Sequence, residues 1–217
     1  MDAPDPWPLR HLVLRTPRLE LRPDDDPGLL ELAEEAWRGV HPPELMPFVA
    51  AWTDVDPDER VRSVVGYHWE RRAALRPESW SVHFLVRRHG RVIGVQELRA
   101  DDFGVTREVR TGSWLGLRHQ GDGLGTEMRA AVLMFAFDHL GAERARSGAF
   151  TDNPASLRVS EKLGYRPDGT TTRARRGECA VEVRLLLERG AFRRPDWTLQ
   201  TDGVAACLPV LGAGRST

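Results

Sequence analysis

One short run concentrates the residues that could do chemistry. Gln120-Gly121-Asp122-Gly123-Leu124-Gly125-Thr126 sits between a strand-like segment and an amphipathic helical pattern. Glycine lets the backbone turn tightly and bring its N–H groups toward an anion. The start of the following helix adds unpaired N–H groups and the positive end of its dipole. Together these features suit a phosphate or pyrophosphate, even in a chain whose only lysine is Lys162. The plainer alternative is a glycine-rich turn that does no more than cap a helix. A Walker-type loop does not fit, because Gly116 to Gly121 is followed by Asp122 and not by Lys-Ser or Lys-Thr. A dinucleotide fingerprint fails as well, since its third glycine would fall at Thr126.

Two other groups of residues stand out. Downstream, Asn153 reads as the N-cap of a second helix, with Pro154 at its first position and Ser156 in its first turn. Upstream, Trp37, Arg38, His41, Met46, Phe48 and Trp52 gather around a proline-stiffened loop, in a chain with seven tryptophans. Trp and Met are most often packing residues, so a covered core competes with any binding role there.

The elements that must position these groups follow from the apolar pattern. Leu12 to Arg22 reads as a strand broken near Pro17, and Asp24, Asp25 and Asp26 lead through Pro27 into a helix. A second helix follows Asp56-Pro57. Trp80–Arg88 and Arg91–Arg99 form a hairpin across His89-Gly90, and Val109–Leu117 is a further strand. A helix from about Gly125 to Leu140 keeps helical spacing and ends at Gly141. Ala145–Phe150, the Asn153-capped helix, and strands near Tyr165–Arg175 and Ala180–Leu187 complete the order β-α-α-β-β-β-α-β-α-β-β. We read residues 1–11 as a leader and 12–190 as one domain. The apolar residues of 191–217 predict an extension packed on the domain or on a second subunit, making a homo-oligomer one of the expectations.

Composition narrows the setting. With 31 Lys+Arg against 32 Asp+Glu, there is no electrostatic reason for non-specific nucleic-acid or membrane binding. The near absence of lysine reflects GC-rich coding. Cys179 and Cys207 lie far apart in no metal-binding or disulfide pattern, and no metal is expected. The opening decapeptide MDAPDPWPLR is no signal peptide, and no run of about 18 apolar residues occurs. A cytoplasmic protein is the expectation.

Gln120, Gly123 and Gly125 match the (Gln/Arg)-x-x-Gly-x-(Gly/Ala) signature of GNAT acyltransferases, and the chain resembles the RimJ/RimL-like branch over roughly Leu12 to Glu188. Three motifs carry the resemblance: Arg15 through Arg22; Gly112-Ser113-Trp114-Leu115-Gly116-Leu117; and Asp152 through Ser156 with Glu161 through Tyr165. It implies the GNAT fold, an α/β (α+β) architecture with a mixed, mostly antiparallel sheet and a splayed strand pair. It also implies acyl transfer from acetyl-CoA or succinyl-CoA to a primary amine, on a small molecule or a peptide, by direct attack.

For matching positions the family implies that Leu115 and Leu117 meet the pantetheine arm. Gln120, Gly121, Gly123, Leu124, Gly125 and Thr126 hold the pyrophosphate. Asn153 meets the pantetheine or a water beside it, and Ser156 sits near the sulfur as the candidate acid, because Ser160 stands where many relatives have a tyrosine. Trp37, Arg38, His41, Met46, Phe48 and Trp52 fall in the acceptor or acyl pocket. Asp122 stands where relatives often carry a basic residue, and Arg110 where many carry a glutamate that some use as the base. Glu97, Asp101, Asp102 and His83 are then the candidate bases, and water could serve. A non-catalytic acyl-CoA sensor is the alternative.

A similarity to an actinobacterial group with a succinyl-CoA-dependent member rests on Gly39-Val40-His41-Pro42-Pro43 running into Met46-Pro47-Phe48, and on Gly125 through Arg129. It predicts that succinyl-CoA binds at least as well as acetyl-CoA. Arg38 and His41 would then be candidate partners for the succinyl carboxylate.

Overall fold

Residues 3–214 are described by the structure, a computed structural model. The first two residues of the expected leader and the last three of the expected extension lie outside them. Nine strands form one sheet in the order β7-β8-β6-β5-β4-β3-β2-β1-β9. In chain order these are β1 (Val13–Arg15), β2 (Glu20–Pro23), β3 (Ser79–Arg88), β4 (Arg91–Asp101), β5 (Glu108–Leu115), β6 (Arg144–Phe150), β7 (Arg166–Arg175), β8 (Glu178–Glu188) and β9 (Gln200–Asp202). The helices are α1 (Asp26–Arg38), α2 (Pro57–Ala73), the short α3 (Phe103–Thr106), α4 (Leu124–Met134), α5 (Pro154–Leu163) and α6 (Val204–Cys207). This is the mixed α/β fold expected, with the strand β2 and the elements α3, β9 and α6 in addition.

Local chemistry explains most boundaries. Asp25 caps α1 by accepting from the Gly28 N–H at 2.6 Å, and Asp56 caps α2 by accepting from the Asp58 N–H. The segment read as one strand from Leu12 is a hairpin. Pro17 cannot donate to a ladder, and Thr16 closes the turn with Leu19 through backbone and hydroxyl bonds of 2.9 and 3.0 Å. α4 continues as a π-helical turn over Phe135–Leu140 and stops at Gly141, whose φ of +76° is the left-handed conformation that ends helices.

The sheet separates two cores. Trp80, Val82, Phe84 and Val86 of β3 join α4 and Leu211, whereas Leu85 joins α1 and α2. Strand alternation therefore turns His83 toward α2. On β5 the same rule sends Val109 and Leu115 to the α4 face and Trp114 to the α1–α2 face. The tail packs on its own domain, with β9 paired to β1 and the Trp80 indole N–H donating to the Leu211 carbonyl at 3.0 Å. Cys207 is buried there, and burial pushes its thiol up to about 11.

One pairing interrupts the antiparallel sheet. β5 and β6 run parallel, and they are paired only over Glu108–Arg110 and Arg144–Arg146. Beyond that they diverge into a V. The Gly116 N–H donates to the Ile93 carbonyl, so alternation in the β4–β5 ladder turns the backbone groups of Ser113 and Leu115 away from β4 and into the V.

Candidate active site

The V opens into a cleft of about 490 Å³ with α4 on one side and α5 on the other. At its outer end Gly121 and Gly123 take φ of +92° and +79°. A side chain on Gly123 would project into open space, with only the Arg18 guanidinium nearby at 3.6 Å. The Gly123 carbonyl accepts from the Thr126 and Glu127 N–H groups at 3.1 Å. The N–H groups of Leu124 and Gly125 have no intrahelical partner and are available to an anion.

Glu127 fixes this end. Its buried carboxylate accepts from the Thr16 hydroxyl at 2.6 Å, from the Arg18 N–H at 3.1 Å and from the Arg18 side chain at 2.6 Å. Arg18 also donates to the Asp122 carbonyl at 3.0 Å. The Asp122 carboxylate approaches Arg88 at 3.5 Å and does not line the cleft, so it sets no negative charge against an anion there.

Gln120, Gly121, Gly123, Gly125, Thr126, Leu115, Asn153 and Ser156 all line this cleft. Two of the residues read for it do not. Leu124 is buried in the core, and Leu117 is 42% exposed, with its N–H donating to the Gly39 carbonyl. Gln120 uses its amide to tie the Val40 and Leu115 carbonyls together, at 2.7 and 2.9 Å. Asn153 caps α5 by accepting from the Ser156 N–H at 3.1 Å, leaving its amide nitrogen free to face a ligand. Residues of this cleft that the sequence reading passed over include Ser113, Arg129, Ser147, Arg158 and Lys162.

A second cleft, also about 490 Å³, lies on the opposite sheet face between α2 and β3–β5. It shares Phe48, Gly112, Ser113 and Trp114 with the first. Phe48 and Trp52 line it and stack in a row with Trp114, at centroid separations of 5.2 and 5.6 Å. The other loop residues read for this pocket lie elsewhere. Trp37 is 57% exposed on the outer side of α1. Arg38 pairs with Glu34 and Glu35 at 3.2 and 3.0 Å. His41 bonds Thr53 and the Pro42 carbonyl, and Met46 is buried. Arg175 and Arg176 of the β7–β8 turn hold the loop from the far side, donating to the Met46 and Pro43 carbonyls.

Of the four candidate bases, Glu97 and His83 line this cleft. Glu97 lies over Gly112, where a Cβ would stand 2.7 Å from its Oε2. It accepts from the Ser81 hydroxyl at 2.7 Å. Burial, reinforced by His68, Arg71 and Arg99, lowers the His83 imidazole to about 3. His83 is therefore neutral at pH 7, and its 3.8 Å approach to Glu97 is not an ion pair there. Asp24, His68 and His83 form the one cluster of metal-ligating types among the described residues. Asp24 is already bonded to His68 at 2.8 Å and to Arg72 at 3.3 Å, so the group reads as a polar network.

Residues 12–166 match the family model of the acetyltransferase (GNAT) domain. The fold is similar to that of Mycobacterium smegmatis RimJ in complex with CoA-disulfide, with a TM-score of 0.70 at 17% identity over 93% of this chain and 95% of that one. It is similar to RimL, a ribosomal L7/L12 alpha-N-protein acetyltransferase in complex with coenzyme A, with a TM-score of 0.60 at 19% identity over 81% and 97%. A chimera of the spermidine N-acetyltransferase SpeG from Vibrio cholerae and hSSAT gives 0.61 at 17% identity over 80% and 96%. The cradle at the head of α4, the splayed β5–β6 pair and the match over most of the domain lead to one conclusion: this chain belongs to the GNAT acetyltransferase family.

Proposed function

We propose that the protein transfers an acyl group from acyl-CoA to a primary amine by direct attack. The observation that carries this is the meeting of two clefts, one from each sheet face, at Gly112, Ser113 and Trp114. In this reading the cradle and the first turn of α4 hold the pyrophosphate, and the pantetheine arm runs down the V past Leu115. The thioester carbonyl takes the Ser113 N–H as its oxyanion donor. The amine enters from the α2 face. Glu97 is the one carboxylate lining that cleft among the described residues, and it receives the amine's proton directly or through water. His83 is neutral, and its burial weakens it as a base. Ser156 assists at the sulfur, and Asn153 positions the arm.

The acceptor cleft continues across Gly112 into a charged groove bearing Arg99, Arg110, Arg146, Arg173 and Arg184 beside Glu97, Glu108, Asp168 and Glu182. Its charges are largely paired, Arg146 with Glu108 and Asp168 and Arg173 with Glu182, so the groove offers polar contacts of both signs to an acceptor that extends beyond its amine, as a peptide N-terminus does. For the donor, no arginine or lysine lines the acceptor cleft among the described residues, and Arg38 and His41 are engaged elsewhere. The geometry favours acetyl-CoA over succinyl-CoA.

Thiol release from acetyl-CoA and succinyl-CoA, measured over a panel of amino-terminal peptides and small amines, tests this reading. Turnover with at least one amine is expected. CoA binding without turnover on any amine would make the protein an acyl-CoA sensor. In side-by-side titration, succinyl-CoA binding as tight as acetyl-CoA would overturn the donor preference.

A further inference from the structure

At the closed end of the V lies a charge with no counter-charge. Arg129, in the second turn of α4, is 5% exposed and lines the CoA cleft. Its guanidinium donates to the hydroxyls of Ser113 on β5 at 3.0 Å, Ser147 on β6 at 3.4 Å and Ser160 on α5 at 3.2 Å. Its Nε is buried without a partner. No carboxylate pairs with it in any ion pair or hydrogen bond among the described residues. Arginine keeps its proton in proteins, so this is a buried, uncompensated cation. Such a charge is costly in a low-dielectric interior. Three serine hydroxyls soften that cost, but an apolar side chain of similar size would tie the same elements without it.

The position identifies the missing anion. A chain laid into the V from the cradle passes Leu115 and then Ser113, and it can go no further than Arg110 and Arg146, where β5 and β6 pair again. Arg129 bridges Ser113 and Ser147, which stand on the two arms a short way outside that closure. We infer that Arg129 is the counter-cation of the departing CoA sulfur, a catalytic residue that stabilises the thiolate in place of a proton donor. In the transfer, the amine nitrogen bonds to the acyl carbon and the C–S bond breaks. The bonding pair stays on sulfur beside Arg129, and the proton lost by the amine leaves through Glu97 or water. Ser113 places both its N–H, toward the oxyanion, and its hydroxyl, on Arg129, at the same centre.

This inference rests on the acyl-CoA reading above, and its test separates the two. The ultraviolet absorbance of the thiolate, followed against pH for CoA bound to the native protein, should show ionisation about 1–3 pH units below that of free CoA, the shift an adjacent opposite charge produces. R129K should retain most of that shift and R129M should abolish it, while both still bind CoA. A bound thiol that ionises like the free one in the native protein, or identically in native and R129M, overturns the inference and leaves the acyl-CoA reading intact. If CoA does not bind the native protein, both fall. Should R129M fail to fold, the native protein decides alone. Its preference for CoA over desulfo-CoA should grow severalfold from pH 6 to pH 9, the more so the larger the shift, and a constant preference overturns the role.

Discussion

The clefts we propose for donor and acceptor touch at three residues of β5 but are built from different materials. The outer, anion-binding end of the first is backbone: the positive-φ glycines 121 and 123, the free N–H groups at the head of α4, and the unpaired edge of β5, with side chains such as Arg129 and Ser156 further in. The acceptor cleft is made of side chains from α2, β3, β4, β5 and the loop between α1 and α2, with Glu97 and His83 set among aromatic rings. Backbone suits a ligand that never changes, because its N–H groups are supplied by any sequence able to make the turn. Side chains suit a ligand that differs from one relative to the next.

If that contrast holds, damage to backbone geometry should abolish donor binding, and damage to side chains should spare it. The largest expected effect is at Gly123. G123L should weaken CoA binding at least about a hundredfold, about 2.7 kcal/mol, by filling the cradle. Leucine at positive φ also strains the turn by about 1–2 kcal/mol. G141L is the matched control, since Gly141 has φ +76° with open space around it and lies away from the cleft. Calorimetry should find CoA affinity lost in the first and kept in the second; equal affinity in both would remove the cradle assignment.

On the acceptor side, E97Q should lower kcat about a hundredfold and leave CoA affinity within error. A weaker CoA titration with normal kcat would move Glu97 out of the proton path and blur the division between the clefts.

His83 marks the acceptor cleft by its pH response. Its folded value of about 3 lies below the ordinary imidazole value of 6.5, so the unfolded state binds the extra proton first. The stability this group contributes is complete above pH 6.5 and is lost as pH falls toward 3. Between pH 6.5 and pH 5 the loss should be about 2 kcal/mol. Urea unfolding at pH 7 and pH 5 should show that slope in the native protein and a flatter one in H83F. An unchanged slope would mean that some other group carries the acid sensitivity.

The smallest effect sharpens the division within the donor cleft itself. S156A should reduce kcat about tenfold without weakening CoA, and a variant of native rate would leave Ser156 as a first-turn residue only. The loss is expected to be modest because Arg129 lies at the same end of the V.

How much of this was legible before folding follows from how local each feature is. The caps at Asp25, Asp56 and Asn153, the hairpin turn at His89-Gly90, the stop at Gly141 and the cradle from Gln120 to Thr126 are each set within a few residues. Their backbone conformations are chosen by glycine, proline or a short polar side chain, so the amino-acid sequence determined them by itself. The tertiary structure alone decided which members of the aromatic loop reach the site. Phe48 and Trp52 line the cleft, while Trp37 is exposed, Arg38 pairs with acids of α1, His41 bonds Thr53, and Met46 is buried with its carbonyl held by Arg175. It also decided that Leu117 leaves the V, that Glu97 lies over Gly112, and that Leu12 to Arg22 folds back on itself. Arg129 is the clearest case. Within the sequence it is one arginine in a helix, and only the packing of α4 against two diverging strands and α5 leaves it buried among serines with no acid to meet. Burial and charge pairing are sums over residues far apart in the chain, and no local pattern encodes them.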